Sequence, residues 1–340
     1  GPSRRLPRFV AAARCQETAG PELALAAART DSVGDTTLSL FNPGPAPADI
    51  SVAVRVEGRF VEPQRLQRRI VRPLSRRDFS LQDFAFGKGE IAIVIRANSG
   101  RVVSEALIET RQGVELVSAQ PPLSEAVALS PVSGRGVRLS LSATDPSGAS
   151  IEASRYADGE APAAEVPPSL GEGVQGQAAV PAVGNREPVG YSLLTGAGGR
   201  VAAAISWAVS GSSGFDIVGA SASQPSTNWA GVSAGLTEGW RLELLIAGAR
   251  GEGGVAELSV IGSKARTEEI DVPPGTVRRV RLADGKGTHG FALSSDVPMV
   301  VVVVGRATGD SAGFAFTPSA ERPAFPTAPR GDSSVGISRR

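Results

Sequence analysis

The chain has 340 residues, and Lys+Arg 35 against Asp+Glu 34 leave a formal charge of +1, so no global bias points to nucleic acid or to a membrane surface. One His, one Cys and one Met starve a zinc site of the usual ligands and exclude a CxxC pair or an internal disulfide. At 41% hydrophobic residues there is enough apolar material for real cores, while Gly 41 and Pro 25 stand above the usual share without reaching a low-complexity level.

The chain opens Gly1-Pro2-Ser3, the remnant left by a common tag-removing protease, and its single methionine is Met299. The expectation is that a signal peptide or a membrane anchor preceded it. No apolar run approaches the ~18 residues of a membrane span. Lysine occurs only at Lys88, Lys264 and Lys286, so the basic residues are almost all arginine, a mark of a GC-rich source. Cys15, alone, is available only for an intermolecular bond.

Helical periodicity is nearly absent, and short alternating or apolar runs recur between Gly and Pro. The segment containing Glu22-Leu-Ala-Leu-Ala-Ala-Ala reads either as a short helix or as a first strand. Thr37–Phe41 is a strand ending in the turn Asn42-Pro43-Gly44, Ile50–Val56 a half-buried strand and Ile91–Ile95 a buried one. Asn98-Ser-Gly100 then reads as a hairpin turn leading into Arg101–Ile108. The order returns with Leu139–Ala143 before Asp145-Pro-Ser-Gly148, and Tyr191–Leu194 before the turn at Gly196–Gly199. It returns again with Leu242–Ile246 before Gly248, and Phe291–Ser294 before Asp296-Val-Pro298 and Met299–Val304.

Two landmarks keep one period. The first turn falls at Gly44, Gly148 and Gly248, intervals of 104 and 100, and the hairpin turn at Gly100, Gly199 and Val297, intervals of 99 and 98. A third pairs Val71-Arg-Pro73 with Val272-Pro-Pro274, and Val166-Pro-Pro168 with a Gly-rich loop in the middle unit. A period of about one hundred residues with several strands per unit is the size of an immunoglobulin-like sandwich; propeller blades are shorter. The predicted architecture is all-β, with three tandem immunoglobulin-like β-sandwich units at 4–121, 122–225 and 226–320, followed by a flexible tail at 321–340.

The run Leu38-Ser-Leu-Phe-Asn-Pro-Gly44, the alternating strand after it, Val272-Pro-Pro-Gly275 and the Val-rich strands that follow resemble a family of extracytoplasmic actinobacterial proteins known only as a domain of unknown function. The likeness covers the first and third units best. It implies an exported protein, secreted or membrane-anchored, associated with cell-envelope glycosyltransferase genes, and no catalytic residues. It also implies a cysteine near each end, of which only Cys15 is present.

The sharpest charge signal is the set Arg65, Arg68, Arg69, Arg72, Arg76 and Arg77, six arginines with no acid among them. Guanidinium groups suit phosphate or carboxylate, so an anionic glycan, a lipid headgroup or an acidic partner is one reading. A solvated strand edge protected by charge is the commoner one. Nucleic acid is less favoured still, because no aromatic residues interleave with this cluster for stacking. Trp207 reads as core. Trp229 and Trp240 read as candidate stacking platforms for a sugar, against the commoner role of a buried tryptophan.

Gly231-Val-Ser233-Ala-Gly235 matches GxSxG with Asp271, Asp284 and His289 downstream, but a nucleophile elbow needs a strand before the serine and a helix after it. The bland alternative is an inter-unit turn, with His289 in a solvent-facing loop. Gly171–Gly176 has P-loop spacing but Gln177 where lysine belongs. Arg330-Gly331-Asp332 in the tail carries no assigned role. The resulting expectation is a non-enzymatic extracytoplasmic scaffold of the cell envelope, without cofactor or metal. Its expected partner is a membrane glycosyltransferase or another envelope protein, and its membrane attachment comes only through a removed N-terminal anchor. A carbohydrate-binding module is the alternative, and an esterase at Ser233 a remote one.

Overall fold

The computed structural model describes residues 19–30, 34–56, 59–84, 90–110, 114–132, 137–145, 149–157, 160–165, 175–179, 188–196, 199–211, 214–236, 239–261, 265–284, 287–307, 313–318 and 320. Cys15, the turn at Gly148, Val166–Pro168 and the 321–340 tail lie outside the described residues. Among the described residues there are strands and short 3-10 turns and no α-helix. The segment at Glu22 is a strand.

In the first unit, one layer runs in the order β1 (Glu22–Arg29), β7 (Glu90–Ser99), β3 (Ala48–Val56), β4 (Arg59–Val61), with β5 (Arg69–Val71) also on β3. The facing layer is β6 (Ser75–Ser80), β2 (Gly34–Asn42), β8 (Val103–Thr110), β9 (Val114–Ser118). The second unit repeats this. Its layers are β10 (Glu125–Ser130), β15 (Val189–Thr195), β12 (Ile151–Ala157), β13 (Glu160–Glu165), and β14 (Gln175–Ala179), β11 (Val137–Ala143), β16 (Val201–Gly211), β17 (Gly214–Ser221).

The third unit forms one continuous sheet because a single long strand, β23 (Gly287–Ala307), serves both layers. Its first half pairs with β18 (Ser226–Leu236) and β20 (Gly254–Ile261), which carries β21 (Arg266–Val272) on its other side. Its second half pairs with β19 (Trp240–Gly248) and β24 (Gly313–Phe316), and β19 carries β22 (Arg278–Asp284). Strand for strand, this is the order of the first two units. In the first and third units the second strand pairs with the strand that follows the Pro-containing turn, as β11 pairs with β14 in the second, and in all three the third strand pairs with the strand before the second landmark. These central pairs are those of an immunoglobulin domain, while the first strand and the one after the second landmark have exchanged layers.

The second landmark is therefore not a hairpin. β7 pairs with β1 and β3, and β8 with β2 and β9, so Asn98-Ser-Gly100 carries the chain from one layer to the other. The bend at Gly199 does the same between β15 and β16, and Asp296–Pro298 does so within β23. Gly100 has φ 79, and a Cβ there would meet the Ala48 side chain at 3.0 Å, so glycine fits the corner for both reasons. The local turn chemistry is the same for a hairpin and a corner; only pairing with distant strands separates them.

The first unit encloses its own core around Leu38, Leu40, Ile50, Val52, Ile93 and Ile95. The apolar interior of the second and third units is one contiguous cluster. Between the first and second units, alanines face one another: Ala24 and Ala26 on β1, Ala53 on β3 and Ala202 and Ala204 on β16 are buried together with Val94. Their small side chains let the backbones approach closely.

Polar staples frame these junctions. Glu22 pairs with Arg200 at 2.6 Å and with Arg96 at 3.4 Å, and the buried Arg55 donates to the Asp145 carbonyl at 2.7 Å. Burial lowers the Arg55 pKa from its ordinary value, and Asp145 works against that shift. Phe60 lies against both Arg55 and Arg96, with guanidinium carbons 5.3 and 5.6 Å from its ring centre. At the other junction Arg250 grips Glu125 through two bonds of 3.0 and 2.9 Å, and the Tyr156 hydroxyl donates to the Gly248 carbonyl at 2.6 Å.

Candidate docking surface

The six arginines lie on one stretch of the first unit, from the 3-10 turn at Gln64–Leu66 through β5 to β6. The turn hides Leu66 and leaves Arg65 in solvent. Three carboxylates answer the cluster: Asp49 and Asp78 in direct ion pairs, and Glu105, whose charge acts on Arg76. Asp49 sits 3.6 Å from Arg68, and Asp78 2.7 Å from Arg76, whose second nitrogen donates to Ser39 at 2.9 Å. For Asp78, burial opposes ionisation, but the hydrogen bonds from Arg76 and Ser39 outweigh it and hold the carboxyl below its ordinary value. Arg76 is raised in turn, first by that hydrogen bond and then by the charge of Asp78.

The others are held by neutral groups. Arg69 donates to the Arg65 carbonyl at 2.5 Å, and Arg77 donates to the Ile70 carbonyl at 3.0 Å while lying 5.2 Å above the Phe79 ring. No carboxylate pairs with Arg65, Arg69, Arg72 or Arg77 among the described residues. Six guanidiniums against three carboxylates leave three net positive charges along this stretch.

Apolar side chains stand out among these charges. Leu74 is 72% exposed, Ile70 50% and Phe41 40%. Phe41 pairs with Arg76 across the β2–β6 ladder, and Asn42 beside it pairs with Ser75, next to Leu74. Asn42 is buried and ties the corner together: its amide donates to the carbonyls of Ala46 at 2.8 Å and Val71 at 3.0 Å, and its oxygen accepts from the Gly44 N–H at 2.9 Å. Leu74 itself has φ 50 and Arg68 φ 51, so two of the three non-glycine residues with positive φ among the described residues fall in this short segment.

The tryptophans tell a different story. Trp229 is 1% exposed, and its indole N–H donates to the Met299 carbonyl at 2.9 Å and to that of Ser226 at 3.1 Å. The expectation that it displays a ring to a sugar is corrected: β18 pairs it with Leu293 and turns it into the core. Trp240 opens β19 half-buried, 5.4 Å from Phe314, and packs against the third unit's core rather than any of the six arginines. The structure does not bring arginines and tryptophans into one site.

The GxSxG segment lies inside β18, neither an elbow nor an inter-unit turn. Gly231 is explained by packing, since a Cβ there would meet the Phe291 ring at 2.7 Å. The β18–β23 ladder places Ser233 opposite His289. His289 is corrected as well: it sits in β23 at 7% exposure, not in a solvent-facing loop, and its Nε2 has no hydrogen-bond partner among the described residues.

A groove of roughly 600 Å³ runs beside His289 between β21 and β22, the free edges of the third unit's two layers. Arg266 spans it, donating to the carbonyls of Arg281 at 2.5 Å and Leu282 at 3.3 Å while held by Glu268 at 3.2 Å. Its walls carry charges of both signs, Arg278 and Arg279 against Glu269 and Asp271, together with Ile270 and Leu282. The sequence reading missed this groove because its walls are distant strand edges; the paired Arg278-Arg279 and Arg281 after Val272-Pro-Pro274 were the only signal.

The model of a family of unknown function, DUF5719, matches residues 7–166, which takes in the first sandwich and the opening strands of the second. Over that stretch the chain is similar to this family. A crystal structure of Thermotoga maritima 1070 is 14% identical, covers 29% of this chain and 97% of its own, and superposes with a TM-score of 0.25. No curated protein matches the chain.

Proposed function

We propose that the chain is a non-enzymatic scaffold of the cell envelope, secreted or anchored outside the cytoplasm, that assists a membrane glycosyltransferase in polysaccharide assembly. The observation that carries the scaffold reading is the pair of sealed junctions. A spacer that holds partners at fixed separation needs units that do not swing, and relative motion is the default where interfaces are small. Here the alanine contact with Glu22, Arg200 and Arg55 closes one junction, and a shared core with Tyr156 and Arg250 closes the other. The envelope setting and the enzyme partner come from the family resemblance. The arginine face of the first unit is the working surface. Native co-purification in mild detergent tests this reading: a stoichiometric membrane glycosyltransferase is the expected companion, and its absence removes the accessory role.

A second reading, binding of an acidic envelope glycan, draws on the groove of the third unit. There the unpartnered His289 Nε2 and Arg278 offer a hydrogen-bonding group and a charge to a uronic-acid carboxylate. Calorimetry with acidic and neutral oligosaccharides decides it. Binding of the acidic one that His289→Ala weakens supports the groove, and equal binding by the variant removes it.

A further inference from the structure

The third unit supplies an internal control for the arginine face. Its turn Pro273-Pro274-Gly275-Thr276 corresponds to Arg72-Pro73-Leu74-Ser75, and in both the hydroxyl of the last residue donates to the carbonyl of the first at 2.8 Å. Gly275 has φ 68, as the third position of such a turn demands. Leu74 takes the same backbone conformation at φ 50 although a leucine there is strained. Gly275 is buried and its N–H donates to the Gly251 carbonyl at 2.9 Å, so this one position is packed away although Pro273 and Pro274 are exposed, whereas Leu74 projects into solvent. Fold alone calls for glycine at this position. The first unit accepts strain and instead displays a large apolar side chain, four residues after the exposed Ile70 and within the run of six arginines.

We infer that this face docks on the surface of an anionic phospholipid bilayer, with Leu74 and Ile70 entering the acyl boundary and Arg65, Arg68, Arg69, Arg72, Arg76 and Arg77 meeting headgroup phosphates. The inference rests on the reading of this face as the working surface, and it names the occupant. Charge complementarity demands an anionic partner. Exposed aliphatic tips between the charges add the demand for an apolar interior directly beneath the anions, which a bilayer offers and a soluble polyanion does not. The planar guanidinium fork suits phosphate oxygens. Attachment would then not depend on a preceding anchor alone: the first unit itself lies on the membrane, and the other two extend from it.

The test is co-sedimentation of the full chain with vesicles of phosphatidylglycerol and phosphatidylcholine, and with phosphatidylcholine alone. Binding is expected only to the first and declines with added salt. Leu74→Gly should weaken it about tenfold, the order expected for burying most of one leucine side chain. Arg65→Ser and Arg72→Ser should each cost roughly fivefold. Leu74→Gly is a fold-safe variant because glycine prefers the backbone well, and a melting curve at or above that of the parent verifies this. Equal binding to both vesicle types, or undiminished binding by Leu74→Gly, overturns the inference. So does capture by a soluble anionic polysaccharide that is indifferent to Leu74, which makes the occupant a glycan. Because the vesicles contain no protein, a failed co-purification leaves this result untouched.

Discussion

Leu74 occupies a backbone well in which its own Cβ crowds the following carbonyl, at a cost of roughly 1–2 kcal/mol. Replacing it with glycine relieves that crowding but loosens the unfolded chain, which returns part of the gain. Leu74→Gly should therefore leave stability unchanged or raise it by up to about 1 kcal/mol in urea unfolding, while a Gly275→Leu exchange in the third unit should destabilise. Trp229 is the converse case, a side chain that looks functional and is structural. Trp229→Ala removes a buried ring and leaves the Met299 carbonyl without its indole donor, so it should cost about 3–5 kcal/mol. Nothing in Ser226-Thr-Asn-Trp distinguishes a displayed ring from a buried one. The alternation that turns Trp229 inward becomes visible only once β18 is paired with β23.

At the scale of elements, the hundred-residue period was legible because Gly, Pro and Asn mark corners by local chemistry. The partners of each strand were not legible, because they lie far along the chain. Asn98-Ser-Gly100 satisfies hairpin chemistry, yet β7 and β8 each find two other partners and the bend becomes a passage between layers. His289 was read as a loop residue because its neighbours are glycine-rich, whereas β23 begins before it. The six arginines were legible as a run; the apolar tips among them were not, since exposure of Leu74 depends on φ at one residue. The corner at Asn42 gives a direct check. Asn42→Ala leaves the buried Val71 carbonyl without its donor and unties the largely exposed turn at Gly44 and Ala46, so it should destabilise the first unit by about 1–3 kcal/mol in denaturant unfolding.

Across the whole molecule, the sealed junctions make three similar sandwiches one body. Tyr156 makes this sensitive to alkali. Burial of the phenol raises its pKa above the ordinary value of about 10. The unfolded chain thus ionises first, so stability is flat below that pH and falls as the pH rises past it, by up to about 1.4 kcal/mol per unit. Tyr156→Phe should reduce this phase and, by removing the donor to the Gly248 carbonyl, weaken the second junction at neutral pH. Thermal melts across alkaline pH would show both effects. Salt has a smaller reach, because the ion pairs of Glu22 and Arg250 are partly exposed and screened while the alanine contact and the shared core are not.

Small-angle X-ray scattering of the intact chain at low and high salt tests that claim most directly. A profile fitted by a single arrangement of the three units is expected, with the same maximum dimension at both ionic strengths. A profile that requires an ensemble of unit orientations, or a dimension that grows with salt, would contradict it.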